Sequence, residues 1–453
     1  MSAGLASDLI AAVATAPGQG GVGIVRLSGA GAKAVGETIC GRALPARSAT
    51  YCDFSDDGEV LDQGIALLFA ESSSFTGEEV VELQGHGGPV VLQRVLNAAC
   101  SQGARLARPG EFSERAFLNG KIDLAQAEAI ADLISSTSVA AARAAVRSLQ
   151  GAFSQRVHAY TEDLAKLRVL VEACIDFPDE DVDALQDAQV DAAVGALVLS
   201  LSELKVDCEQ GQLVNEGATV ALLGAPNAGK SSLLNTLSGE DAAIVTDIPG
   251  TTRDLLKVDM VIEGIPLRLV DTAGLRDSGD QVERLGVARA KEQARQADLL
   301  MLVVDAVAES ETDPVEALLG GLQYDGQVVV VLNKVDLVQL RPACAAPGDS
   351  QYPTFWVSAK TGEGMQTLRA GLTRAVGLNS SEVGFAARAR HVAAVDRSIT
   401  NLREAQAGLR GGQHTEIVAE ELRSAHVALG ELVGTVTPDD LLGRIFSEFC
   451  IGK

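Results

Sequence analysis

The sequence predicts a multidomain α/β protein in which a region of alternating strands and helices interrupts a helical region. Three observations support this prediction. Short β-rich runs among Gly, Pro and Ser clusters fill residues 1–118, the apolar period becomes helical from Leu124, and strands alternate with helices over residues 216–376. A second helical stretch begins near Phe385, and 453 residues suffice for about three domains.

Residues 1–118 are predicted to form a mixed α/β domain. Its β-rich runs are LIAAVAT at 9–15, VGIVRLS at 22–28, QGIALLF at 63–69 and EVVELQG at 79–85, with a helical run near 89–100. The segment Gly18–Gly23 fits the GxGxxG pattern of dinucleotide-binding folds. A strand-like sequence follows this segment where a dinucleotide-binding fold needs a helix. The match is therefore interpreted as a decoy, that is, a coincidental match without a dinucleotide site.

Residues 119–215 and 377–453 are predicted to be helical. Apolar side chains recur every three or four residues, at Val139, Ala142, Val146 and Leu149 and again at Val418, Leu422, Ala425 and Leu429. Each block therefore presents one apolar face. The segment 177–183, FPDEDVD, interrupts the first block. The economical interpretation is one helical domain with the middle region inserted into it; two separate bundles are the alternative.

The middle region, residues 216–376, is predicted to be a parallel sheet with crossover helices. Its strands read TVALLG, PLRLVD, LLMLVVDA, VVVVLN and FWVSA, each followed by a loop and mostly by a helical stretch. The stretches LKVDMVIEG and IPLRLVDTAG are predicted to form a hairpin that turns at Glu263-Gly264, which adds one antiparallel edge strand.

Composition limits the classes of function. The net charge of −24 argues against non-specific binding to nucleic acid, because phosphate contacts need clustered Lys and Arg. The stretch Arg105–Arg115 is locally basic and is interpreted as a solvated loop, with a local RNA patch as the alternative. Seven cysteines without CxxC pairs, no signal-peptide pattern and no long apolar run predict a cytosolic protein that does not enter a membrane.

A phosphate-binding loop opens the middle region. The segment Gly224–Ser231, GAPNAGKS, follows a strand and begins a helix, which is the context that a GxxxxGK[ST] loop requires. Backbone N–H groups there surround phosphates, Lys230 reaches the β- and γ-phosphates, and Ser231 holds Mg²⁺. The remaining predicted contacts of this loop are Asn227, Ala228, Gly229 and Ser232.

Later motifs predict guanine as the base. Two strands end in polar loops, Asn333-Lys334-Val335-Asp336 and Ser358-Ala359-Lys360. An aspartate such as Asp336 can accept from both N1–H and N2–H of guanine, whereas adenine has no such donor pair, so GTP is favoured over ATP. A carboxylate and glycine for Mg²⁺ and the γ-phosphate are predicted in the segment Asp271-Thr272-Ala273-Gly274. This order of motifs is that of the translation-factor-like GTPases, which the region resembles, and the resemblance implies a Ras-like P-loop G domain.

A switch loop is predicted between the phosphate loop and Asp271, with Thr252 completing the Mg²⁺ shell when GTP is bound. Its predicted nucleotide contacts are Thr246, Asp247, Ile248, Pro249, Gly250, Thr251 and Thr252. Ras-like proteins place a water-orienting glutamine where this chain has Leu275, and no arginine finger is evident. Glu283 is the candidate to orient water; without a family resemblance, a solvated carboxylate on a helix face would be favoured.

Longer segments resemble the MnmE (TrmE) family of tRNA-modification GTPases. The similar segments are GGVGIVRLSG, SFTGEEVVELQGHGG, RPGEFSERAFLNGKIDLAQAEAIADLI, DIPGTTRD, DTAGLR and the terminal CIGK. The resemblance spans the whole chain. It implies an N-terminal α/β domain at 1–118 that binds a tetrahydrofolate derivative and forms a homodimer, and a helical domain (119–215 and 377–453) split by a G domain at 216–376.

The same resemblance implies the chemistry and the partners. With an FAD-containing partner, MnmG, in a heterotetramer, the family installs a carboxymethylaminomethyl-type group on C5 of the wobble uridine (position 34) of certain tRNAs. A folate in the 5-formyl or 5,10-methylene form supplies one carbon. Carried over by position, the folate contacts are Arg26, Glu82, Lys121 and Lys453. The family uses K⁺ in place of an arginine finger, which would be held here by Asn227, Thr246, Ile248 and Thr251, and it uses Glu283 to orient water.

A rival class stays open at this stage. The chain could be a regulatory GTPase switch that docks on ribosomes or RNA without a role in modification chemistry. The N-terminal domain and the terminal CIGK argue against a pure switch, which has no need of a folate site.

Overall fold

The computed structural model describes residues 8–176, 184–225, 227–239, 257–271, 292, 294–307, 314–319, 322, 324, 326–338, 352–377, 383–411, 414–435, 439–447, 449, 450 and 452. The chain divides into two compact units. Unit 1 contains Met1–Ala131, Leu149–Asp181 and Gly412–Lys453, and unit 2 contains Asp132–Ser148 and Val182–Gly411. The narrower domain boundaries after 118, 215 and 376 stay predictions.

A six-stranded sheet forms the centre of unit 1. Its strands are β1 (Ile10–Val13), β2 (Gly20–Ser28), β3 (Thr50–Asp56), β4 (Glu59–Phe69), β5 (Val80–Gly87) and β6 (Arg105–Leu106), in the order β3-β4-β5-β2-β1-β6. Pairing is antiparallel except between β1 and β6. The strand predicted after the GxGxxG decoy is confirmed as β2, so no dinucleotide-type helix follows those glycines.

Period-two alternation divides this sheet into two faces. Val25 and Leu27 of β2 point into the core, which is covered by α1 (Ala32–Cys40) and α2 (Pro89–Ser101). The alternate residue Arg26 therefore lies on the opposite face. This placement decides which side chains can share a site with Arg26.

Helices complete unit 1. They are α3 (Glu111–Leu118), α4 (Leu124–Ser135, whose last residues belong to unit 2), α6 (Ala152–Asp176), α12 (Thr415–Val433) and α13 (Asp439–Ser447). The predicted apolar face of the later helical block is confirmed, because Val418, Leu422, Ala425 and Leu429 are all buried in α12, which packs on α6. A separate small core joins α4 to α13 through Leu124, Ile445 and Phe446.

Unit 2 contains the second sheet, whose strand order is β12-β11-β10-β7-β9-β8. The strands are β7 (Ala218–Gly224), β8 (Lys257–Ile262), β9 (Ile265–Asp271), β10 (Leu299–Asp305), β11 (Gln327–Asn333) and β12 (Thr354–Trp356). All pairs are parallel except β8 with β9, so the predicted parallel sheet with one antiparallel edge hairpin is confirmed. Glu263 and Gly264, with φ of 49° and 89°, make its turn.

Helices of unit 2 are α5 (Val139–Leu149, ending in unit 1), α7 (Ala184–Glu216), α8 (Lys230–Ser238), α9 (Pro314–Leu319), α10 (Met365–Ala375) and α11 (Ala389–Gly411). The apolar face predicted from Val139, Ala142 and Val146 is wrong, because Val139 and Val146 are exposed and α5 buries Ala141, Ala144 and Ala145 instead.

The helix predicted to resume near Phe385 begins four residues later, at Ala389. The backbone N–H of Ala386 donates to the carbonyl of Ala144 and to the hydroxyl of Ser148, and this hydroxyl donates to the carbonyl of Ala386, so tertiary hydrogen bonds hold this segment and the helix begins after it. Among the described residues, no helix is long and apolar enough to cross a membrane.

Candidate functional site

The phosphate loop connects β7 to α8. Asn227 and Gly229 both have positive φ, 66° and 92°, and Gly229 caps the N-terminus of α8. A Cβ atom on Gly229 would lie 2.2 Å from the side-chain nitrogen of Asn333, so only glycine fits there. A helix N-terminus presents N–H groups without intrahelical partners and the positive end of the helix dipole, so the loop is suitable for an anion.

Lys230 is the first residue of α8, and its side chain turns back over the loop. Its Nζ donates to the carbonyl of Gly224 at 2.7 Å and to that of Ala225 at 3.1 Å. The cation is therefore held at the loop by backbone dipoles. Ser231 and Ser232, in the first turn of the same helix, are exposed. One hydroxyl beside a phosphate loop suits Mg²⁺, which commonly takes few protein ligands and completes its shell from phosphate and water.

Asn333 joins the phosphate loop to the loop after β12. It is 2% exposed, its Nδ2 donates to the carbonyl of Ala228 at 2.9 Å, and its Oδ1 accepts the N–H of Ala359 at 3.0 Å. Both polar ends of the side chain are thus satisfied by backbone. Replacing it would leave a buried donor and acceptor unpaired, which costs roughly 1–3 kcal/mol each.

Asp336 lies in the short 3₁₀ segment Val335–Leu337 that follows β11. Its Oδ1 accepts the hydroxyl of Ser358 at 2.7 Å, and Ser358 is fully buried and accepts the N–H of Thr361 at 3.2 Å. This hydrogen bond restrains the orientation of the carboxylate, which is otherwise exposed. A carboxylate held in this way can accept two parallel donors along one edge of a planar base.

Lys334 forms the side of the same cavity. It has a positive φ of 69°, and its Nζ lies 2.6 Å from Oδ2 of Asp305, the last residue of β10. The hydrogen bond from Lys334 lowers the pKa of Asp305 below its ordinary value and outweighs the opposing effect of burial. A cavity of about 180 Å³ lies here, lined by Gly229, Ser232, Asn333, Lys334, Asp336, Leu337, Ser358, Ala359 and Lys360.

The remaining predicted site residues lie in the switch segments of the G domain, apart from Lys453, which is a predicted folate contact. Asp271 ends β9, where it pairs in register with Leu222 of β7, so the strand end is adjacent to the strand that leads to the phosphate loop. Outside the described residues lie Thr246, Asp247, Ile248, Pro249, Gly250, Thr251, Thr252, Thr272, Ala273, Gly274, Glu283 and Lys453. Their predicted roles stay predictions.

A second polar arrangement lies in unit 1, on the face of the sheet away from its helix-covered core. The guanidinium of Arg26 bonds one carboxylate oxygen of Glu82 on the neighbouring strand, with Nε at 3.0 Å and a terminal nitrogen at 2.9 Å. Its other terminal nitrogen donates to the carbonyl of Gly452 at 3.3 Å, and its carbon lies 5.7 Å from the ring centroid of Phe112. The structure therefore brings two predicted folate contacts together beside the penultimate residue.

Lys121 has a different position. Its Nζ donates to the carbonyl of Ser72 at 3.0 Å, and no hydrogen bond joins it to Arg26, Glu82 or Gly452 in the described part of the chain. A larger cavity of about 630 Å³ lies between the end of β1 and α2. Its lining is mainly apolar, and the exposed Cys450 contributes to it.

The basic stretch Arg105–Arg115 is not the solvated loop that the sequence predicts. Arg115 is buried and bonds Asp8 at 2.6 Å and Glu78 at 2.9 Å, and Arg105 bonds Glu111 at 2.6 Å. Glu111, within the stretch, and Asp8 and Glu78, which are distant in sequence, neutralise these cations, so counting arginines in the stretch overstates its free positive charge. The stretch therefore offers little unpaired positive charge to RNA.

Sequence reasoning missed Asp305 and Phe112. Asp305 and Asn333 are the last residues of neighbouring parallel strands and pair in register. A polar residue that ends an otherwise apolar strand, LLMLVVD, was the signal that could have identified Asp305. Phe112 gave no comparable signal, because one phenylalanine near a strand is ordinary core sequence.

Two families match the chain. The family described as "MnmE helical domain" matches residues 124–450, and the family described as "GTP-binding protein TrmE N-terminus" matches residues 9–121. A protein of Marinobacter nauticus named "tRNA modification GTPase MnmE" is 51% identical over 453 residues, which cover 99% of each chain. A protein of Stutzerimonas stutzeri with the same name is 52% identical over the same length, again 99% of each chain.

A solved structure, the G domain of the T. maritima FeoB iron transporter, covers 35% of this chain and 97% of its own. It is 25% identical, with a TM-score of 0.26, at which the likeness supports no conclusion.

Proposed function

The chain belongs to the MnmE family of tRNA modification GTPases, and from this premise we propose that it couples GTP hydrolysis to modification of the wobble uridine. As a member of this family it is a GTPase that acts in tRNA modification. The proposed reaction adds a carboxymethylaminomethyl-type group to C5 of uridine 34 in certain tRNAs. An FAD-containing partner, MnmG, and a tetrahydrofolate one-carbon donor take part, and the reaction is proposed to occur in the cytoplasm.

The observation that carries the proposal is the base cavity of unit 2. The carboxylate of Asp336 is oriented by Ser358, and Asn333 ties the same cavity to the phosphate loop. A ligand that carries hydrogen-bond donors on one edge of a planar base and also a polyphosphate can bind Asp336 and the phosphate loop at once. Guanine presents N1–H and N2–H on one edge, so the cavity supports GTP and GDP as ligands.

Phosphoryl transfer depends mainly on position and electrostatics, because charge spreads over the transferring group. In the proposed site, Lys230 would contact the β- and γ-phosphates, and Ser231 with Thr252 would hold Mg²⁺, which would neutralise charge on the phosphates. K⁺ would supply a further positive charge, held by the side chain of Asn227. Asn227 supports this by its exposed position on the loop at positive φ. Backbone oxygens of Thr246, Ile248 and Thr251 would complete this potassium site.

Glu283 is proposed to orient the attacking water, directly or through a second water. Leu275 stands where Ras-like proteins carry the water-orienting glutamine, so another acceptor must take that role. Drawing two G domains together would complete the arrangement, and hydrolysis is therefore proposed to follow dimerisation of the chain.

A folate site is proposed in unit 1. The pair Arg26–Glu82 and the carbonyl of Gly452 support it, since a carboxylate can accept from the N–H edge of a pteridine and cations can hold a glutamate tail. Lys121 and Lys453 are the further proposed contacts. The apolar cavity beside Cys450 has room for an aromatic ring system, and its size also supports a ligand in this unit.

The partners in the proposal are a second copy of the chain, MnmG in a heterotetramer, and tRNA. The experiment that tests the function is mass analysis of wobble uridines in tRNA from cells that lack this protein. Loss of the C5 modification, restored by the full chain, is expected. If the wobble uridines keep the group, the regulatory switch without a role in modification is the better function.

A further inference from the structure

One ion pair in unit 2 joins Lys334, a predicted GTP contact that lines the base cavity, to Asp305, which has no predicted role. Asp305 ends β10 and Asn333 ends β11, and the N–H of Ala306 donates to the carbonyl of Asn333 at 2.9 Å. The next residue, Lys334, turns through a positive φ and reaches back, so that its Nζ lies 2.6 Å from Oδ2 of Asp305. The other oxygen, Oδ1, accepts the N–H of Val307 at 3.0 Å.

This geometry fixes both ends of the Lys334 side chain. Its Cα is set by the end of β11, and its ammonium is held at the end of β10. The methylene stem between them therefore spans the gap between two strand ends, along one side of the base cavity. Lysine stems commonly pack along apolar surface while the charged head is satisfied elsewhere.

The position of Asp305 separates its effect from that of Asp336. Asp305 does not line the cavity, whereas Lys334 and Asp336 do. The carboxylate of Asp336 is suited to the donor edge of a base, and a stem alongside the cavity is suited to its flat face. With its charge paired at Asp305, Lys334 offers methylene groups to that face.

We propose that Asp305 is a positioning residue for the guanine nucleotide, which acts by holding the Lys334 stem against the face of the base. The inference rests on the proposed guanine site. It adds a residue that raises the affinity for the nucleotide without contacting the hydrogen-bonding edge of the base. Two consequences follow. Loss of Asp305 weakens every purine nucleotide that binds through Asp336 by the same factor, and this effect requires the ammonium group of Lys334.

The test uses the full-length chain with Mg²⁺ and K⁺. Dissociation rates of fluorescent GDP and fluorescent inosine diphosphate are measured by stopped flow for the wild type and for Asp305→Asn, which keeps side-chain size and removes charge. Both nucleotides are expected to dissociate roughly fivefold faster, the factor that corresponds to about 1 kcal/mol for a partly exposed ion pair. The ratio of the two rates stays at its wild-type value, because inosine lacks only the 2-amino group on the edge.

A double-mutant cycle with Lys334→Met tests whether the effect of Asp305 on nucleotide binding acts through Lys334. Methionine keeps an unbranched stem without charge, so the double variant is expected to dissociate GDP no faster than Lys334→Met alone. Asp298→Asn is the matched control: it removes a carboxylate just before the other end of β10, which accepts the N–H of Thr219 at 2.7 Å, and dissociation should not change. Thermal unfolding of each variant identifies any loss of folding, and Asp305→Glu, which keeps the charge, should restore part of the affinity.

Several outcomes overturn the inference. They are unchanged or slower GDP dissociation in Asp305→Asn, an effect on GDP that inosine diphosphate does not share, or additive effects in the cycle. These results leave the proposed function standing, provided that the wild type binds GDP. If the wild type binds neither nucleotide, the proposed guanine site itself fails.

Discussion

Replacing Asp336 with asparagine tests the base cavity most directly. The hydroxyl of Ser358 donates to Oδ1 of Asp336 at 2.7 Å, and an asparagine oxygen can keep that bond. The new amide nitrogen, however, faces guanine donors with another donor. One hydrogen bond to a charged acceptor, with a value of about 1.5–3 kcal/mol, is lost and leaves a guanine donor unpaired at a cost of about 1–3 kcal/mol, while the other bond loses its charged acceptor. GTP affinity should therefore fall roughly 10²- to 10⁴-fold.

Xanthine carries an oxygen where guanine has its 2-amino group, so the amide of Asp336→Asn can donate to it. Equilibrium titration of the full-length chain with GDP and xanthosine diphosphate should therefore show opposite changes in affinity. Ser358→Ala is the matched control, since it loosens the carboxylate while leaving both acceptors: GDP should weaken about tenfold or less, without a gain for xanthosine diphosphate. Unchanged affinity of Asp336→Asn for GTP would refute the assignment of Asp336 to guanine.

Three further predictions concern catalysis, the C-terminus and stability. GTP turnover should be roughly tenfold or more faster in K⁺ than in Na⁺ at equal ionic strength, and Glu283→Ala should be slow in K⁺, because preorganised charge and oriented water act together. Equal rates in the two salts exclude the potassium role, and full activity of Glu283→Ala excludes the role of that residue alone. A chain that lacks residues 450–453 should lose folate binding and tRNA modification yet retain most GTPase activity; calorimetry that finds full folate affinity would contradict this. Burial raises the pKa of Glu111, but the hydrogen bonds from Arg105 and from the backbone of Arg108 outweigh it and hold this pKa below its ordinary value of 4.5. The carboxylate therefore stabilises the fold above pH 4.5, and this contribution is lost as the pH falls through the depressed pKa. The free energy of unfolding of Glu111→Gln should be about 2 kcal/mol lower than that of the wild type near pH 7, a value reduced for the exposure of Arg105, and the difference should shrink as the pH falls below 4.5. Denaturant titrations at both pH values check this, and a difference independent of pH would refute it.

Local patterns predicted the G-domain fold and the polar strand ends of its base cavity. A phosphate loop needs a strand, a glycine-rich turn and a helix in sequence order, and β7, Gly229 and α8 supply them within a short stretch of chain. Asn333 is the last residue of β11, and Asp336 lies three residues later. Such sites can be predicted from sequence because their geometry depends on residues that are close in sequence.

Contacts distant in sequence were not predictable in this way. The helix expected near Phe385 begins only at Ala389, because Ala386 bonds to Ala144 and Ser148 on α5, far earlier in the chain. The helical spacing of apolar residues could not reveal these competing hydrogen bonds. Likewise, Arg115 was predicted to lie in a solvated loop, but tertiary packing buries it beside Asp8 and Glu78.

The contact between Arg26 and Gly452 joins residues 426 apart in sequence, and something must hold the end of the chain there. Closing a loop of that length costs about 5 kcal/mol beyond a constant term, by the logarithmic dependence on length. The aromatic residues Phe446 and Phe449 supply a compensating term. They are 2% and 6% exposed, and burying each ring is worth about 1.5–3 kcal/mol.

These rings dock at a position where the backbone approaches closely. Phe446 lies 6.3 Å from Phe117 and 5.4 Å from Phe449 between ring centroids. Gly110, at a positive φ of 68°, admits the carbonyl of Phe446, which would lie 2.4 Å from any added Cβ atom. Its N–H also donates to the carbonyl of Cys450 at 3.4 Å. Because the contact of Arg26 with Gly452 depends on this docking, the proposed folate site on β2 can assemble only when the last helix, α13, is in place.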